Sequence, residues 1–450
     1  MFFKRIVTKG LAQYSYMVGD GETLAIIDPM RDVEVYMDEA RLAGMRIEYI
    51  FETHRNEDFL VGSRELSEKT GAKVYISDHE DLAYEYGEGI KEGFEVNIKG
   101  IRLKVLHTPG HTLGHLSYVL YEKDNKIPYM VFTGDTLFMG DVGRTDFYGK
   151  EELNKMTGLL YDSIFNKILP LGDHVLLFPA HGAGSACGDS MDEREYSTLG
   201  YERLNSKILQ VNGKDDFIKK HAKMRIKPRY FNAMEKRNLL GEPFVGGGIS
   251  LNPLTLDEFK NIKDEVLLLH TQNKESYIGG HIPGSIYMPK VLLSSFLGAI
   301  YETNQKLVFV GSPSIGELEE LYWYARRIGF DNIIGYLADG LGKWEQSGEE
   351  LEKTRSITAI KFKELPKNGD FILLDIRKKE EIEADDPDKN RINIPLQNIY
   401  KCLDYLDYKK TIYVLCASGE RSTIGASYLK AKNYDARIIT GGVEMLEAFK

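Results

Sequence analysis

The chain has 450 residues, 42% hydrophobic and 28% charged, with a formal net charge of −10. These are the proportions of a folded, water-soluble protein of about three ordinary domains, and the acidic balance argues against nucleic acid, which calls for a basic face. No run approaches the ~20 apolar residues of a membrane span, the first residues lack the apolar core of a secretory signal, and three cysteines (Cys187, Cys402, Cys416) are too few for a disulfide framework.

A cytoplasmic protein with free thiols and no membrane partner is therefore expected. In chain order, the runs TLAIIDPM, IEYIFETH, AKVYIS, IRLKVLHTPGH, LSYVLYE, YMVFTGD and HVLLFPAH each read as a strand that ends in a polar loop. The segments DVEVYMDEARLAG and GSRELSEKTG read as helices closed by glycine. Strands with polar C-terminal ends and helices outside them predict an α/β sandwich. Eight of the ten histidines precede residue 222, so metal chemistry belongs to this half. His54, His111 and Asp135 each follow an apolar run, which puts them at the sheet rim, where α/β folds place ligands. From about residue 205 to 248 the pattern weakens, and a long irregular connection is expected.

The second half contains a repeat. VLLLHTQNKESY resembles FILLDIRKKEEI, and KLVFVGSPSIGELEE aligns with TIYVLCASGERSTIG. Each copy reads as strand, tight loop, helix and strand, the alternation of a parallel sheet. His270 matches Asp375 at an offset of 105, and the same offset carries Cys416 onto Gly311, so the first copy lacks the thiol. In VLCASGERS, Cys416 follows an apolar strand and precedes a helical run. Such a loop turns backbone N–H groups inward and stabilises negative charge on sulfur, and Arg421 at its end can receive an oxyanion. Cys402 reads as a packing residue.

The motifs IIDP, THRNED, TPGHTLGH, FTGDTLF and FPAHG make the first 235 residues resemble the metallo-β-lactamase superfamily. Its dinuclear hydrolases, such as glyoxalase II, carry T-H-x-H-x-D-H where this chain has Asn56 and Phe59 in place of two histidines. The resemblance implies a first metal site of His54, His111 and Asp135. It also implies a second that keeps Asp58, Asp135 and His181 but has a phenyl ring in place of an imidazole. Two imidazoles and one carboxylate are the facial triad of non-haem Fe(II) oxygenases. With GRTDF, which holds Arg144, this sharpens the resemblance to persulfide dioxygenases, in which that arginine helps bind the thiol carrier. His115 and His181 are expected beside the centre, His107 to be structural, and Cys187 to lie near the iron pocket.

The second half resembles a tandem rhodanese pair: GGHIPGSIYMP marks the first copy, LLDIR and CASGERS the second. The whole resembles a bacterial fusion of persulfide dioxygenase and rhodanese. The resemblance implies an α/β metallo-β-lactamase αββα sandwich at 1–235, an inactive rhodanese-like domain at 250–350 and an active one at 356–450. It implies one Fe(II) per chain, and oxidation by O2 of a low-molecular-weight persulfide, carried on glutathione, coenzyme A or a similar thiol, to sulfite and thiol. Transfer of sulfane sulfur through Cys416 to sulfite would then give thiosulfate, and a homo-oligomer is expected. The alternatives are a dinuclear zinc thioester hydrolase of the glyoxalase II kind and a persulfide sensor.

Overall fold

A computed structural model describes every residue except 123, 186, 189, 242, 247, 312, 313, 367, 368, 384, 385, 387–389, 402, 449 and 450. Cys402 therefore lies outside the described residues. The chain divides into two compact units, Met1–Lys227 with Phe231–Gly247, and Pro228–Tyr230 with Gly248–Lys450.

The first unit is two six-stranded sheets face to face. One runs in chain order from Phe2–Thr8 to Glu88–Ile90, and the other spans Glu95–Ile98 to Ser197–Thr198. Alternation along each strand builds the layers. In Thr23–Ile27, Ala25 and Ile27 join Phe51, Tyr118 and Phe132 between the sheets, while Leu24 and Ile26 face outward. The outward set is covered by Tyr36 and Ala40 of the helix Glu34–Ala43 and by Leu66 of Ser63–Thr70. On the far side, Val119, Val131 and Leu177 meet Leu160 and Ile164. This is the expected αββα sandwich.

The segment expected to be an irregular connection contains the helices Lys214–His221 and Phe231–Leu240. The last lacks a strong apolar stripe, and tertiary bonds fix it: Asn238 Nδ2 donates to the carbonyls of Asn56 (2.7 Å) and Phe59 (2.8 Å), and its Oδ1 accepts from Val61 N–H (3.0 Å).

The second unit holds two five-stranded sheets, parallel throughout. The spatial order is Pro253–Leu254, Ile333–Leu337, Leu307–Val310, Leu267–His270, Ile286–Tyr287 in the first. It is Ser356–Thr358, Ala436–Thr440, Thr411–Leu415, Phe371–Asp375, Arg391–Asn393 in the second. Equivalent strands occupy equivalent places, so the sequence repeat is a structural one. Among the described residues no helix is long and apolar enough to cross a membrane.

Candidate metal centre and sulfur-transfer site

The strand Arg46–Phe51 delivers His54, Pro128–Gly134 delivers Asp135, and the loop after Ile101–His107 delivers His111. All three are buried, and their ligand atoms lie within 4.8 Å of one another. His54 Nε2 and Asp135 Oδ2 have no hydrogen-bond partner among the described residues, and His111 Nε2 makes no well-formed hydrogen bond although the Glu57 carboxylate stands 3.1 Å from it. An orphaned buried polar atom costs about 1–3 kcal/mol, so three that converge fit a cation.

The other edges of these groups are tied down, which aims the orphaned atoms. Asp28 accepts from Thr53 N–H (2.7 Å) and from the Thr53 hydroxyl (2.8 Å). With its proton committed, the Thr53 oxygen accepts from His54 Nδ1 at 2.8 Å, leaving the Nε2 lone pair free. His111 Nδ1 donates to the Arg144 carbonyl at 2.9 Å. His181 Nδ1 meets Asp135 Oδ1 at 2.7 Å, and His115 Nε2 accepts from Asp135 N–H at 2.9 Å. Burial pushes His54 well below the ordinary imidazole value and His115 down to about 3, so both stand neutral. Burial raises Asp28 to about 7 despite its bonds from Thr53. Burial would also raise Asp135, but His181 and His111 hold its carboxyl well below the usual range.

The two altered motif positions are accounted for in place. Asn56 donates from Nδ2 to the His54 carbonyl at 3.3 Å. The Phe59 ring is fully buried and meets His181 edge-on, centroids 6.3 Å apart. His181 Nε2 nevertheless stays 3.0 Å from Asp58 Oδ2, and with Cys187 these residues form a second cluster within 4.8 Å. Burial and the neighbouring Asp58 push the Cys187 thiol well up, so it acts as a donor, 3.7 Å from Asp58 Oδ2 and 3.9 Å from Glu57 Oε1.

Glu57, which the motif reading passed over, is also buried, with Oε1 3.1 Å from His111 Nε2. Its only signal was its place between Asn56 and Asp58. Cys187 could not be tied to Asp58 from sequence, being 129 residues away. Arg144 makes a two-pronged pair with Asp146 through Nε and Nη2 (2.7 and 2.8 Å) and is 3% exposed. The GRTDF turn needs its glycine: a Cβ on Gly143 would collide with the Asp135 carbonyl. His107 bonds the Leu113 carbonyl at 2.8 Å and stacks on His79.

In the second unit the strand Thr411–Leu415 leads to Cys416, 1% exposed, and the helix Glu420–Lys430 follows. Cys416 Sγ accepts from Gly419 N–H (3.1 Å) and Ser422 N–H (3.3 Å). Gly419 has φ +110, a conformation that L side chains rarely adopt. Uncapped first-turn N–H groups thus converge on sulfur and favour negative charge there. Arg421 pairs with Glu381 at 2.6 and 2.9 Å.

The first copy has Gly311 in place of the cysteine and has also lost the cradle. Ser314 and Glu317, at the positions of Gly419 and Ser422, form a reciprocal capping box on the helix Ile315–Arg327. The Glu317 carboxylate accepts the Ser314 N–H (3.0 Å) and the Ser314 hydroxyl oxygen accepts the Glu317 N–H (3.3 Å), so both donors that an anion would use are taken.

Comparisons with known proteins agree with this architecture. The family model described as the metallo-beta-lactamase superfamily matches residues 8–183, and the rhodanese-like domain model matches 255–347 and 358–448. The hydroxyacylglutathione hydrolase GloC of Haemophilus influenzae is 28% identical over 211 residues, 42% of this chain and 89% of its own length. A crystal structure of a metallo-beta-lactamase from Staphylococcus aureus is 30% identical with a TM-score of 0.67, covering 75% of this chain and 98% of that one. ETHE1 from Myxococcus xanthus is 26% identical with a TM-score of 0.46, covering 53% of this chain and 98% of that one.

Proposed function

Because the chain belongs to the metallo-beta-lactamase superfamily through its N-terminal unit, and continues into two rhodanese-like domains, we propose that it is a persulfide dioxygenase joined to a sulfurtransferase. The observation that carries this reading is the orphaned set of two imidazole nitrogens and one carboxylate oxygen, with a phenyl ring where a second centre would want an imidazole. His54, His111 and Asp135 would hold one ion. Fe(II) bound there would supply redox chemistry with O2 and a Lewis-acidic position for the outer sulfur of the persulfide.

The chain's own residues do the rest. Asp28 through Thr53, and the Arg144 carbonyl, fix the ring faces of His54 and His111 so that the pocket is formed before anything enters. The net reaction is R–S–SH + O2 + H2O giving R–SH, sulfite and two protons. Sulfur is oxidised and dioxygen reduced. At the second site the Cys416 thiolate attacks the outer sulfur of another persulfide, the S–S bond breaks, and R–SH leaves with the proton. The sulfur lone pair of sulfite then attacks the cysteine persulfide, releasing thiosulfate and restoring the thiolate. Sulfite made at one site is the acceptor at the other, which is the physical sense of joining them in one chain.

An oxygen electrode tests the division. His111→Ala is expected to abolish persulfide-dependent O2 uptake. Cys416→Ser leaves uptake intact and shifts the product from thiosulfate to sulfite. Loss of uptake in Cys416→Ser would refute the scheme.

A second reading, the dinuclear thioester hydrolase, is favoured by the cluster of Asp58, His181 and Cys187, in which Asp58 Oδ1 and His181 Nε2 also have no hydrogen-bond partner among the described residues. It requires two ions per chain, which metal analysis decides.

A further inference from the structure

The cysteine loop is held from two sides. Arg421 is tied to Glu381 within its own domain, while Glu420 turns to the first, thiol-free rhodanese-like domain. Lys274 Nζ lies 3.1 Å from Glu420 Oε1, and the Tyr287 hydroxyl donates to Glu420 Oε2 at 2.8 Å. A buried bond also joins the copies: Tyr287 N–H donates to Ser427 Oγ at 3.1 Å.

Lys274 lies close to the thiol cradle. A methyl group placed on Gly419 would come within 3.9 Å of Nζ, and the N–H of that same Gly419 points at the Cys416 sulfur. The lysine and glutamate side chains are 27% and 41% exposed. A pair so wet contributes little to stability and is exchanged at little cost. Glu420 therefore holds the ammonium beside the cysteine loop, and Tyr287 gives Glu420 a second partner that does not depend on the lysine. An acceptor with two negative charges calls for more than one cation. Arg421 belongs to the loop itself, and Lys274 brings a cation to it from the first copy.

We propose that Lys274 of the first rhodanese-like domain receives the incoming sulfur oxyanion at Cys416, so that the copy without a thiol completes the acceptor site of the copy that has one. This rests on the sulfurtransferase reading of Cys416.

The test is made on the full chain, with thiosulfate formation measured against sulfite concentration. Lys274→Ala is expected to raise KM for sulfite about tenfold while kcat stays within about twofold, the loss of one charge contact to a desolvating anion. Lys274→Arg restores most of the affinity, and persulfide-dependent O2 uptake is unchanged in both. The sulfite concentration that half-protects Cys416 from alkylation by iodoacetamide, followed by mass spectrometry, should rise in parallel. An unchanged KM and unchanged protection would overturn the proposal. So would a fall in kcat alone, which would mean that Lys274 only braces the loop. Thiosulfate formation that survives Cys416→Ser would instead refute the sulfurtransferase reading itself, whatever Lys274 does.

Discussion

Cys187 holds its sulfur 3.7 Å from Oδ2 of Asp58, beside the carboxylate whose motif neighbour is Phe59 instead of an imidazole. With the Phe59 ring set against His181 where the dinuclear pattern has an imidazole, the second cluster is one ligand short. The isolated protein is therefore expected to carry one metal ion per chain. Asp58→Asn and Cys187→Ser should keep that ion, and His111→Ala should lose it. Metal analysis of the four proteins decides. Two ions per chain, one of them lost in Cys187→Ser, would move the first unit to hydrolysis.

Thr53 touches no metal, yet its oxygen sets which nitrogen of His54 is free. Thr53→Val removes that acceptor at nearly constant volume and lets the ring turn or change tautomer. Metal affinity, measured by competition with a chelator, should fall about 10–100-fold, as is usual when the partner of a ligating imidazole is removed. Unchanged affinity would show that packing alone orients His54.

Arg144 and Asp146 form a buried pair, each side chain 2% exposed. Arg144→Ala leaves the Asp146 carboxylate facing fewer partners, so unfolding in denaturant should show a loss of about 3–5 kcal/mol in the first unit. The double variant Arg144→Ala with Asp146→Ala should be less damaging than the sum of the singles. Full additivity would show that the pair is not coupled.

His270, at the strand end where the second copy has Asp375, is fully buried, and neither ring nitrogen has a hydrogen-bond partner among the described residues. Burial lowers its pKa to about 4. An unfolded imidazole titrates near ~6.5, so in this window the unfolded chain binds the extra proton. The neutral ring's contribution is complete above pH ~6.5 and is lost as pH falls toward about 4, a change on the order of 3 kcal/mol. Denaturant midpoints of the second unit should drop across that range, and His270→Leu should flatten the drop. An equal slope in the variant would assign the acid sensitivity elsewhere.

Much of this was legible in the sequence because strands announce themselves by alternation and the motif residues stand at their ends. The strands carrying His54, His111 and Asp135 were all visible in that way. The opening strands Phe2–Thr8 and Gln13–Asp20 were not, because FFKRIVT spreads lysine and arginine through an edge strand whose first four residues are half-exposed. The helix Phe231–Leu240 escaped notice because bonds from Asn238 to a loop some 180 residues away order it. Glu57 gathers at the centre through tertiary placement that no local pattern encodes, and Cys187 was expected there from resemblance alone, without its partner Asp58. By contrast, the S-x-x-E of the first copy's capping box could have been read directly, and it says more than the missing cysteine does: restoring a thiol at Gly311 would not restore a cradle.

The Asn238 brace bears on where the first unit may be cut. Its side chain grips the main chain at Asn56, Phe59 and Val61, the stretch that presents Asp58. A truncation at residue 183, where the superfamily match stops, or at 235 would sever that grip and release the loop beside the metal centre. The metallo-beta-lactamase-fold half of the molecule borrows its rigidity from residues that outwardly resemble a mere tether, so separating it from the rhodanese-like half requires a break no earlier than the end of that helix.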